Sequence, residues 1–161
     1  MTKFDSILVL SFGGPEGKED VLPFLKNVLR GIPLKEGTLK EIQKRYDLFD
    51  GVSPINEHTR IFIEVLKGRL LENNINIPVY LGNRNWHPFL LDTLKDMAAK
   101  KHKKTLVFVT SIFSSYSGCR KYREDLYEAS EQINHSIELV KIRNGYNHPS
   151  FIQSVVECVA S

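Results

Sequence analysis

The chain has 161 residues, of which 42% are hydrophobic and 25% charged, and this composition fits one α/β domain with a substantial core. Its 22 basic and 19 acidic residues give a net charge of +3, which is too small to indicate a nucleic-acid partner. Two cysteines, an N-terminal apolar run broken by Asp5 and the lack of a run of ~20 apolar residues favour a cytoplasmic protein without a disulfide scaffold, secretory signal or membrane span.

Short runs rich in β-branched residues alternate along the chain with longer segments of helical periodicity. The pattern predicts strands at 6–11, 77–82, 104–111 and 137–143. It predicts helices at 18–30, 36–49, 55–73, 88–101, 117–133 and 149–159. The strands are mostly continuous apolar runs, which is typical of a parallel sheet covered on both faces. We therefore predict a single domain over 1–161, a three-layer αβα fold whose four-stranded parallel sheet has helices on both faces.

Ligands of such sheets bind in the loops at the carboxyl ends of the strands. The loop after the first strand contains Gly13 and Gly14, which suggests a phosphate-binding loop. Pro15 has no N–H to donate, however, and Glu16 would repel a phosphate at the helix start. The glycines more plausibly allow a sharp turn and the close approach of a flat ligand.

Two interpretations remain open for the segment that precedes the third helix. Ser53 followed by Pro54 is typical of a helix cap and a first helical residue. The same hydroxyl at a helix N-terminus would also bind a carboxylate, and Arg45 would add a charge-assisted contact. Arg30, at the end of a predicted helix, has the same two interpretations.

The loop after the third strand, 113–122, is rich in hydroxyl groups and aromatic rings. It would suit a flat, apolar ring system with polar corners, or it would satisfy its own backbone over a packed tyrosine. Cys119 has no partner at a nucleophile or zinc spacing, and the five histidines form no pair on one helical face, so spacing predicts no metal site. From the sheet topology we expect Phe12, Ser53, Arg84 and Tyr122 on one face.

Four segments together resemble the ferrochelatase family, most closely its actinobacterial coproporphyrin ferrochelatases. They are LSFGGPEGKEDVLPFLKNVLRG, RYDLFDGVSPINEHTR, GNRNWHPFLLDTL and FVTSIFSSYSGCRKYREDL, in family order. The resemblance implies flavodoxin-like αβα halves in tandem, with a porphyrin in the cleft between them, and insertion of ferrous iron into the macrocycle in heme biosynthesis. It implies that residues 1–161 are the N-terminal half.

The resemblance also assigns porphyrin-binding positions in this half. They fall on Phe12, Arg30, Arg45, Tyr46, Ser53 and Tyr122, the last with one gap in the loop. Some family members have a tyrosine at the position of Phe12 that ligates the product iron, whereas phenylalanine has no oxygen to do so. Leu29 stands where some members have a second arginine that contacts a propionate.

The catalytic histidine and glutamate of the family belong to its C-terminal half, so the resemblance implies no catalytic residue and no metal ligand for this chain. We expect it to need that half, as part of a longer chain or as a separate partner, to be inactive alone and to self-associate through an exposed apolar wall. Cys119 matches a ligand of a two-iron two-sulfur cluster, whose other three cysteines lie in the C-terminal half. The alternatives are a non-catalytic tetrapyrrole-binding module and a flavodoxin-like cofactor binder.

Overall fold

A computed structural model describes residues 3–33 and 37–160 of the chain. Within these residues the strands are β1 (Ser6–Ser11), β2 (Val79–Asn83), β3 (Lys104–Val109) and β4 (Glu138–Lys141). The helices are α1 (Lys18–Val28), α2 (Thr38–Asp47), α3 (Ile55–Glu72), α4 (Leu90–Ala99), α5 (Lys121–Ser130) and α6 (Pro149–Ala160). A single π-helical turn, Tyr116–Arg120, leads directly into α5.

All four strands are parallel and lie in the order β2-β1-β3-β4. Leu8 on β1 is paired with Tyr80 on one side and with Val107 on the other. The predicted three-layer αβα fold is confirmed; the first strand has the predicted ends, and the other predicted elements are present with shifted ends. The predicted start of the second helix, residue 36, lies outside the described residues. The fourth strand is shorter than predicted because only Glu138–Lys141 pair with β3.

Helices α4 and α5 cover one face of the sheet, here called the α4–α5 face. Leu8 and Leu10 of β1 join Leu94 of α4 and Leu126 of α5 in the main hydrophobic cluster. Alternate residues of a strand point to opposite faces, so Val9 and Ser11 face the other side. There Ser11 Oγ lies 3.3 Å from Thr59 Oγ1 of α3. We call this second side the α3 face.

The two faces of the sheet are covered unequally. Every residue of β1 is buried, whereas β3 alternates between buried and half-buried residues. The buried residues Val107 and Val109 point to the α4–α5 face. Their neighbours Leu106 and Phe108 point to the α3 face, where the Phe62 ring stacks on Phe108 at 5.0 Å. The expectation that both faces are buried therefore holds for β1, while β3 is fully covered on one face.

A polar network ties the amino end of β1 to the loop before β3. The Asp5 carboxylate accepts hydrogen bonds from the Lys103 amide at 2.7 Å, the Lys104 amide at 3.3 Å and the Ser6 hydroxyl at 3.0 Å. His102 Nδ1 lies 3.4 Å from the same carboxylate. Burial raises the pKa of Asp5, but these hydrogen bonds and His102 together outweigh burial and hold the pKa below its usual value.

We expect the contribution of Asp5 to the free energy of unfolding to vanish in acid. Because its folded pKa lies below its unfolded pKa of about 4, the contribution is complete above that pH and is lost as pH falls through the folded pKa. Urea unfolding of the unsubstituted chain and Asp5→Asn across that range measures it. The exposed Asp92→Asn is the control. If the free energies of unfolding of the unsubstituted chain and of Asp5→Asn differed by the same amount into strong acid, this expectation would be contradicted.

Candidate functional site

The loop after β1 is held against the start of α3 by one buried asparagine. Asn56 Oδ1 accepts a hydrogen bond from the Gly14 amide at 3.1 Å, and Asn56 Nδ2 donates to the Gly14 carbonyl at 2.7 Å. The Ser53 amide donates to the Pro15 carbonyl at 2.9 Å. A side chain at Gly14 would collide with Ser53, because its Cβ would lie 2.5 Å from Ser53 Cβ. This contact places Ser53 beside the glycine loop.

Gly13 makes the sharp turn that directs the loop out of the sheet. Its φ of +75° lies in the left-handed region, which favours glycine. A Cβ at this position would lie 3.0 Å from Asn83 Cβ. The sharp turn predicted from the sequence is present, and the close approach that the glycines allow here is that of Asn83 and Ser53. The predicted approach of a flat ligand stays a prediction. The Glu16 amide donates to Asp20 at 3.1 Å, so this N–H is already engaged and does not bind a phosphate.

Phe12 is fixed at the carboxyl end of β1 by its backbone and by its ring. Its carbonyl accepts hydrogen bonds from the amide of Asn85 at 3.1 Å and from the Asn85 side chain at 3.2 Å. Its ring meets the Phe24 ring edge-on at 6.1 Å. Tyr46 and Trp86 make similar edge contacts with Phe24, at 6.0 and 6.3 Å. The structure thus brings Phe12 and Tyr46 into one aromatic cluster on α1.

Arg84, which follows β2, packs between two of the predicted site residues. Its guanidinium carbon lies 5.7 Å from the centre of the Phe12 ring and 4.7 Å from that of Tyr122. Nε donates to the Asp125 carboxylate, whose other oxygen lies 3.0 Å from Lys121 Nζ. With 11% of its side chain exposed, Arg84 is a nearly buried cation paired with a nearly buried carboxylate.

Tyr122 lies beneath Arg84 in the main hydrophobic cluster and is 3% exposed. Burial raises the pKa of its phenol, against the opposing effect of the Arg84 guanidinium. Of the two interpretations of this loop, the structure therefore supports the one in which a tyrosine packs beneath it, and that tyrosine is Tyr122. A ligand on this surface would meet Phe12 and Arg84 before Tyr122.

Ser53 lies beside the glycine loop, whereas the two predicted arginines lie at the exposed ends of α1 and α2. Helix α3 begins at Ile55, and its N-cap residue, Pro54, makes no side-chain cap hydrogen bond. The structure thus places the N-cap of α3 one residue after Ser53, whereas the capping interpretation placed it at Ser53. Arg45 is exposed in the last turn of α2. Arg30 is exposed, donates to Asn27 at 3.2 Å and lines a concavity that also includes Arg84.

The concavity beside Ser53 contains an acidic residue whose negative charge is paired with an arginine. Glu16 pairs with Arg60 at 2.7 Å, and both residues line this surface with Ser53 and Asn56. The hydrogen bond from Arg60 lowers the pKa of Glu16 against the effect of burial, so the carboxylate is ionised and paired. Its negative charge is compensated locally, which reduces its repulsion of an anionic ligand at Ser53.

Comparison with known families matches residues 5–161 to the family described as Ferrochelatase. The chain belongs to the ferrochelatase family. A ferrochelatase of Rhodopirellula baltica is 49% identical over 158 residues, which are 98% of this chain and 45% of that protein. A coproporphyrin III ferrochelatase of Streptomyces coelicolor is 46% identical over 160 residues, 97% of this chain and 43% of that protein.

A coproporphyrin III ferrochelatase of Mycolicibacterium smegmatis is 42% identical over 158 residues, 98% of this chain and 46% of that protein. The chain thus spans less than half the length of these ferrochelatases. The resemblance drawn from the four sequence segments is confirmed. None of the helices in residues 3–33 and 37–160 is long and apolar enough to cross a bilayer.

Among the described residues of this ferrochelatase-family chain, no iron–sulfur site is assembled around Cys119. Cys119 lies half-buried in the π-helical turn before α5, and its amide donates to the Ser115 carbonyl at 2.9 Å. In the described part of the chain, no three His, Cys, Asp or Glu side chains converge in a way that would hold a metal ion. The residues present therefore do not fit a two-iron two-sulfur cluster.

The sequence prediction missed three residues that organise this site. Asn56 fixes the glycine loop, Asn85 fixes Phe12, and Asp125 pairs with Arg84. Both asparagines lie close in the chain to predicted site residues, since Asn56 is three residues after Ser53 and Asn85 directly follows Arg84. A buried amide that bonds both the N–H and the C=O of a distant loop residue leaves no periodic signal in the sequence.

Proposed function

We propose that this chain is the porphyrin-holding half of a ferrochelatase, a single N-terminal domain over residues 1–161. With a second, C-terminal domain it would insert ferrous iron into coproporphyrin III or protoporphyrin IX in heme biosynthesis. The observation that carries the proposal is the site at the carboxyl ends of β1 and β2. There a fixed phenylalanine ring and a buried arginine adjoin a glycine loop with a serine hydroxyl, within a ferrochelatase-family chain.

The chemistry of the substrate fits this arrangement of side chains. A porphyrin is a flat apolar ring with carboxylates at its edge, so a protein must hold both parts. Phe12, on the aromatic cluster with Tyr46, offers an apolar contact for the ring. Arg30 and Arg45, both exposed, would pair with propionates, and the Ser53 hydroxyl would donate a hydrogen bond.

The proposed binding residues do not supply the rest of the reaction. Insertion of ferrous iron requires removal of two pyrrole protons and delivery of a partly dehydrated cation. Phe12 has neither a proton acceptor nor a ligating atom, and the arginines remain protonated. We therefore assign proton removal and iron delivery to the second domain. Tyr122 would act on the porphyrin only through Arg84, because it lies beneath that side chain.

The proposal includes the location and the partners expected from the sequence. The protein would act in the cytoplasm, and its second domain would be joined to it or bind it as a separate chain. A two-iron two-sulfur cluster at Cys119 would require three further ligands from that second domain. The second candidate is a non-catalytic porphyrin-binding module that would use the same binding contacts. Iron insertion by a two-domain assembly distinguishes the two candidates.

We expect Ser53→Ala to weaken coproporphyrin III binding without lowering fold stability. One hydrogen bond to a carboxylate contributes about 1 kcal/mol, which corresponds to an increase of about fivefold in Kd. The free energy of unfolding should stay the same because Ser53 does not cap α3. Fluorescence titration with coproporphyrin III and urea unfolding measure the two effects. Ser136→Ala, an exposed serine in the loop before β4 at the opposite end of the sheet, is the control.

Each outcome of that titration has a clear meaning. Unchanged Kd in Ser53→Ala with an intact fold would remove Ser53 from the proposed site. A parallel titration with a flavin tests the remaining alternative, a flavodoxin-like cofactor binder. Tighter binding of the flavin than of coproporphyrin III would contradict the proposed function.

A further inference from the structure

A largely buried ion pair beside the proposed porphyrin surface has no part in the binding contacts proposed above. Arg84 follows β2, Asp125 lies on α5, and Arg84 Nε donates to the Asp125 carboxylate. The two side chains are 11% and 20% exposed. Taking two charges out of water costs free energy that their attraction does not reliably offset, so a buried pair is weak evidence of a stabilising role. What the pair does provide is a fixed position for the guanidinium.

Arg84 is fixed from its backbone to the end of its side chain. Its amide donates to the Ser11 carbonyl at 3.1 Å, which ties its backbone to the end of β1. Its guanidinium carbon lies 4.7 Å from the centre of the Tyr122 ring and 5.7 Å from that of Phe12. A guanidinium packs on aromatic rings with its flat face and bonds carboxylates with its edge. Its orientation therefore decides whether Arg84 supports a ring or pairs with a ligand.

The position of Asp125 is set by the helix that carries it. Tyr122 and Leu126, the two nearest core residues of α5, are buried in the main hydrophobic cluster. Tyr122 precedes Asp125 by three residues, so their side chains are neighbours on the helix surface, where both contact Arg84. Lys121 Nζ lies 3.0 Å from the other carboxylate oxygen, and this contact raises the pKa of Lys121. Each oxygen of the carboxylate thus has a cation beside it.

Arg84 differs from the two arginines that would pair with propionates. Arg30 and Arg45 are exposed, and the Arg30 guanidinium donates to the uncharged side chain of Asn27. An exposed guanidinium can present its edge to a carboxylate of a ligand, whereas the edge of Arg84 already holds Asp125. Arg30 and Arg84 nevertheless line the same concavity. Nearness to the site alone therefore does not tell a propionate ligand from a support of the ring.

We propose that Asp125 is a positioning residue of the porphyrin site, which holds the edge of the Arg84 guanidinium so that Arg84 packs against the Phe12 ring. Arg84 then supports the aromatic wall, and the propionates are left to Arg30 and Arg45. The inference rests on the proposed function, since it requires a porphyrin on Phe12. It adds that one arginine of this surface acts through a ring, with its charge compensated, while the other two act on carboxylates.

A set of variants separates this role from a general effect of charge. Asp125→Asn keeps the shape of the side chain and removes its charge, while Asp125→Glu keeps the charge. Glu128→Gln is the matched control, because it removes the same charge from an exposed residue three positions further along α5. Arg84→Met removes the cation, alone and together with Asp125→Asn. Circular dichroism checks that every variant folds.

Fluorescence titration with coproporphyrin III measures the effect on binding. We expect Asp125→Asn to raise Kd about fivefold, which is within the range for residues of one ion-pair network. Asp125→Glu should restore most of the affinity, and Glu128→Gln should bind like the unsubstituted chain. Combined with Arg84→Met, Asp125→Asn should have no further effect, because Asp125 acts only through Arg84.

The salt dependence of the same titrations separates the support of the ring from propionate binding. The increase in Kd caused by Asp125→Asn should be similar at about 0.01 M and about 1 M salt, since a largely buried pair is weakly screened. The increase caused by Arg45→Met should shrink at the higher salt, because Arg45 is exposed and would contact a carboxylate.

A further measurement needs no ligand. In the unsubstituted chain the Arg84 Nε–H should exchange slowly with water in nuclear magnetic resonance spectra, because it is largely buried and bonded to a carboxylate. Asp125→Asn should speed this exchange about fivefold, since a neutral acceptor holds the hydrogen more weakly, and Glu128→Gln should not. If the unsubstituted chain failed to bind coproporphyrin III, the proposed function would be contradicted, while the exchange would still show whether Asp125 fixes Arg84.

Three results would overturn the inference. The first is an increase in Kd for Asp125→Asn that persists in full together with Arg84→Met, since Asp125 would then not act through Arg84. The second is tighter binding by Asp125→Asn that high salt abolishes, which would make Arg84 a propionate ligand that Asp125 restrains. The third is a folded Asp125→Asn chain whose Kd, or whose Arg84 Nε–H exchange, equals that of the unsubstituted chain.

Discussion

The isolated chain of 161 residues will bind coproporphyrin III and will not insert iron into it. Binding is expected because the proposed contacts of Phe12, Arg30, Arg45 and Ser53 all lie within this domain. Insertion is expected to be absent because these residues neither accept pyrrole protons nor ligate ferrous iron. Loss of proton transfer alone typically costs about 10²- to 10⁴-fold in rate, and the loss of the metal path adds to it.

Anaerobic incubation with ferrous iron and coproporphyrin III, followed by absorbance and fluorescence, measures both parts of this prediction. The Streptomyces coelicolor coproporphyrin III ferrochelatase serves as the positive control, since it is 46% identical over the shared region. A fusion of the chain to the part of that protein that it does not match should recover activity. Turnover by the purified chain, free of any second polypeptide, would show that the catalytic groups lie in this domain after all.

Gly14→Ala is expected to lower both the free energy of unfolding and the affinity for coproporphyrin III. The added Cβ would lie 2.5 Å from Ser53 Cβ, 2.7 Å from Ser53 Oγ and 2.9 Å from Ile55 Cγ2. Ordinary carbon contacts are about 3.5–4.0 Å, so the loop must move away from α3. That movement strains both hydrogen bonds between Gly14 and Asn56. We expect a loss of about 3 kcal/mol in stability and a larger loss of affinity than in Ser53→Ala.

The control for this substitution is Gly68→Ala in α3. A Cβ at Gly68 would meet nothing within 4 Å, and the residue lies inside a helix. Alanine there should stabilise the fold by about 0.5–1 kcal/mol and leave porphyrin affinity unchanged. Urea unfolding and fluorescence titration are the measurements for both variants. If Gly14→Ala were as stable as the unsubstituted chain, the close contact between the glycine loop and α3 would not exist as described.

The secondary structure and the location of the site were largely predictable because each depends on a local pattern. Continuous apolar runs identified all four strands, and helical periodicity identified all six helices among the described residues. Parallel strands share one carboxyl end, so the loops that contain Phe12 and Arg84 had to meet. The ferrochelatase resemblance was equally accessible, because it rests on short segments in a fixed order.

The functional meaning of several individual side chains was not predictable from these patterns. The sequence favoured neither interpretation of Ser53, and only the structure places the N-cap of α3 at the next residue, Pro54. Tyr122 was open to interpretation as a ligand contact or a packed residue until its burial beneath Arg84 was seen. Such outcomes depend on which distant residues come into contact. Contacts of this kind leave no periodic pattern in a single sequence.

The sequence by itself determined the αβα fold class, the order of its elements and the ferrochelatase family, since all three follow from residue patterns along the chain. Only the tertiary structure decided how the site is assembled, through the amide of Asn56 on Gly14 and the pairing of Arg84 with Asp125. It also decided that β3 has one face half-exposed in this chain. The physical reason is that burial and hydrogen bonding are properties of side chains brought together from distant positions, whereas periodicity is a property of neighbours.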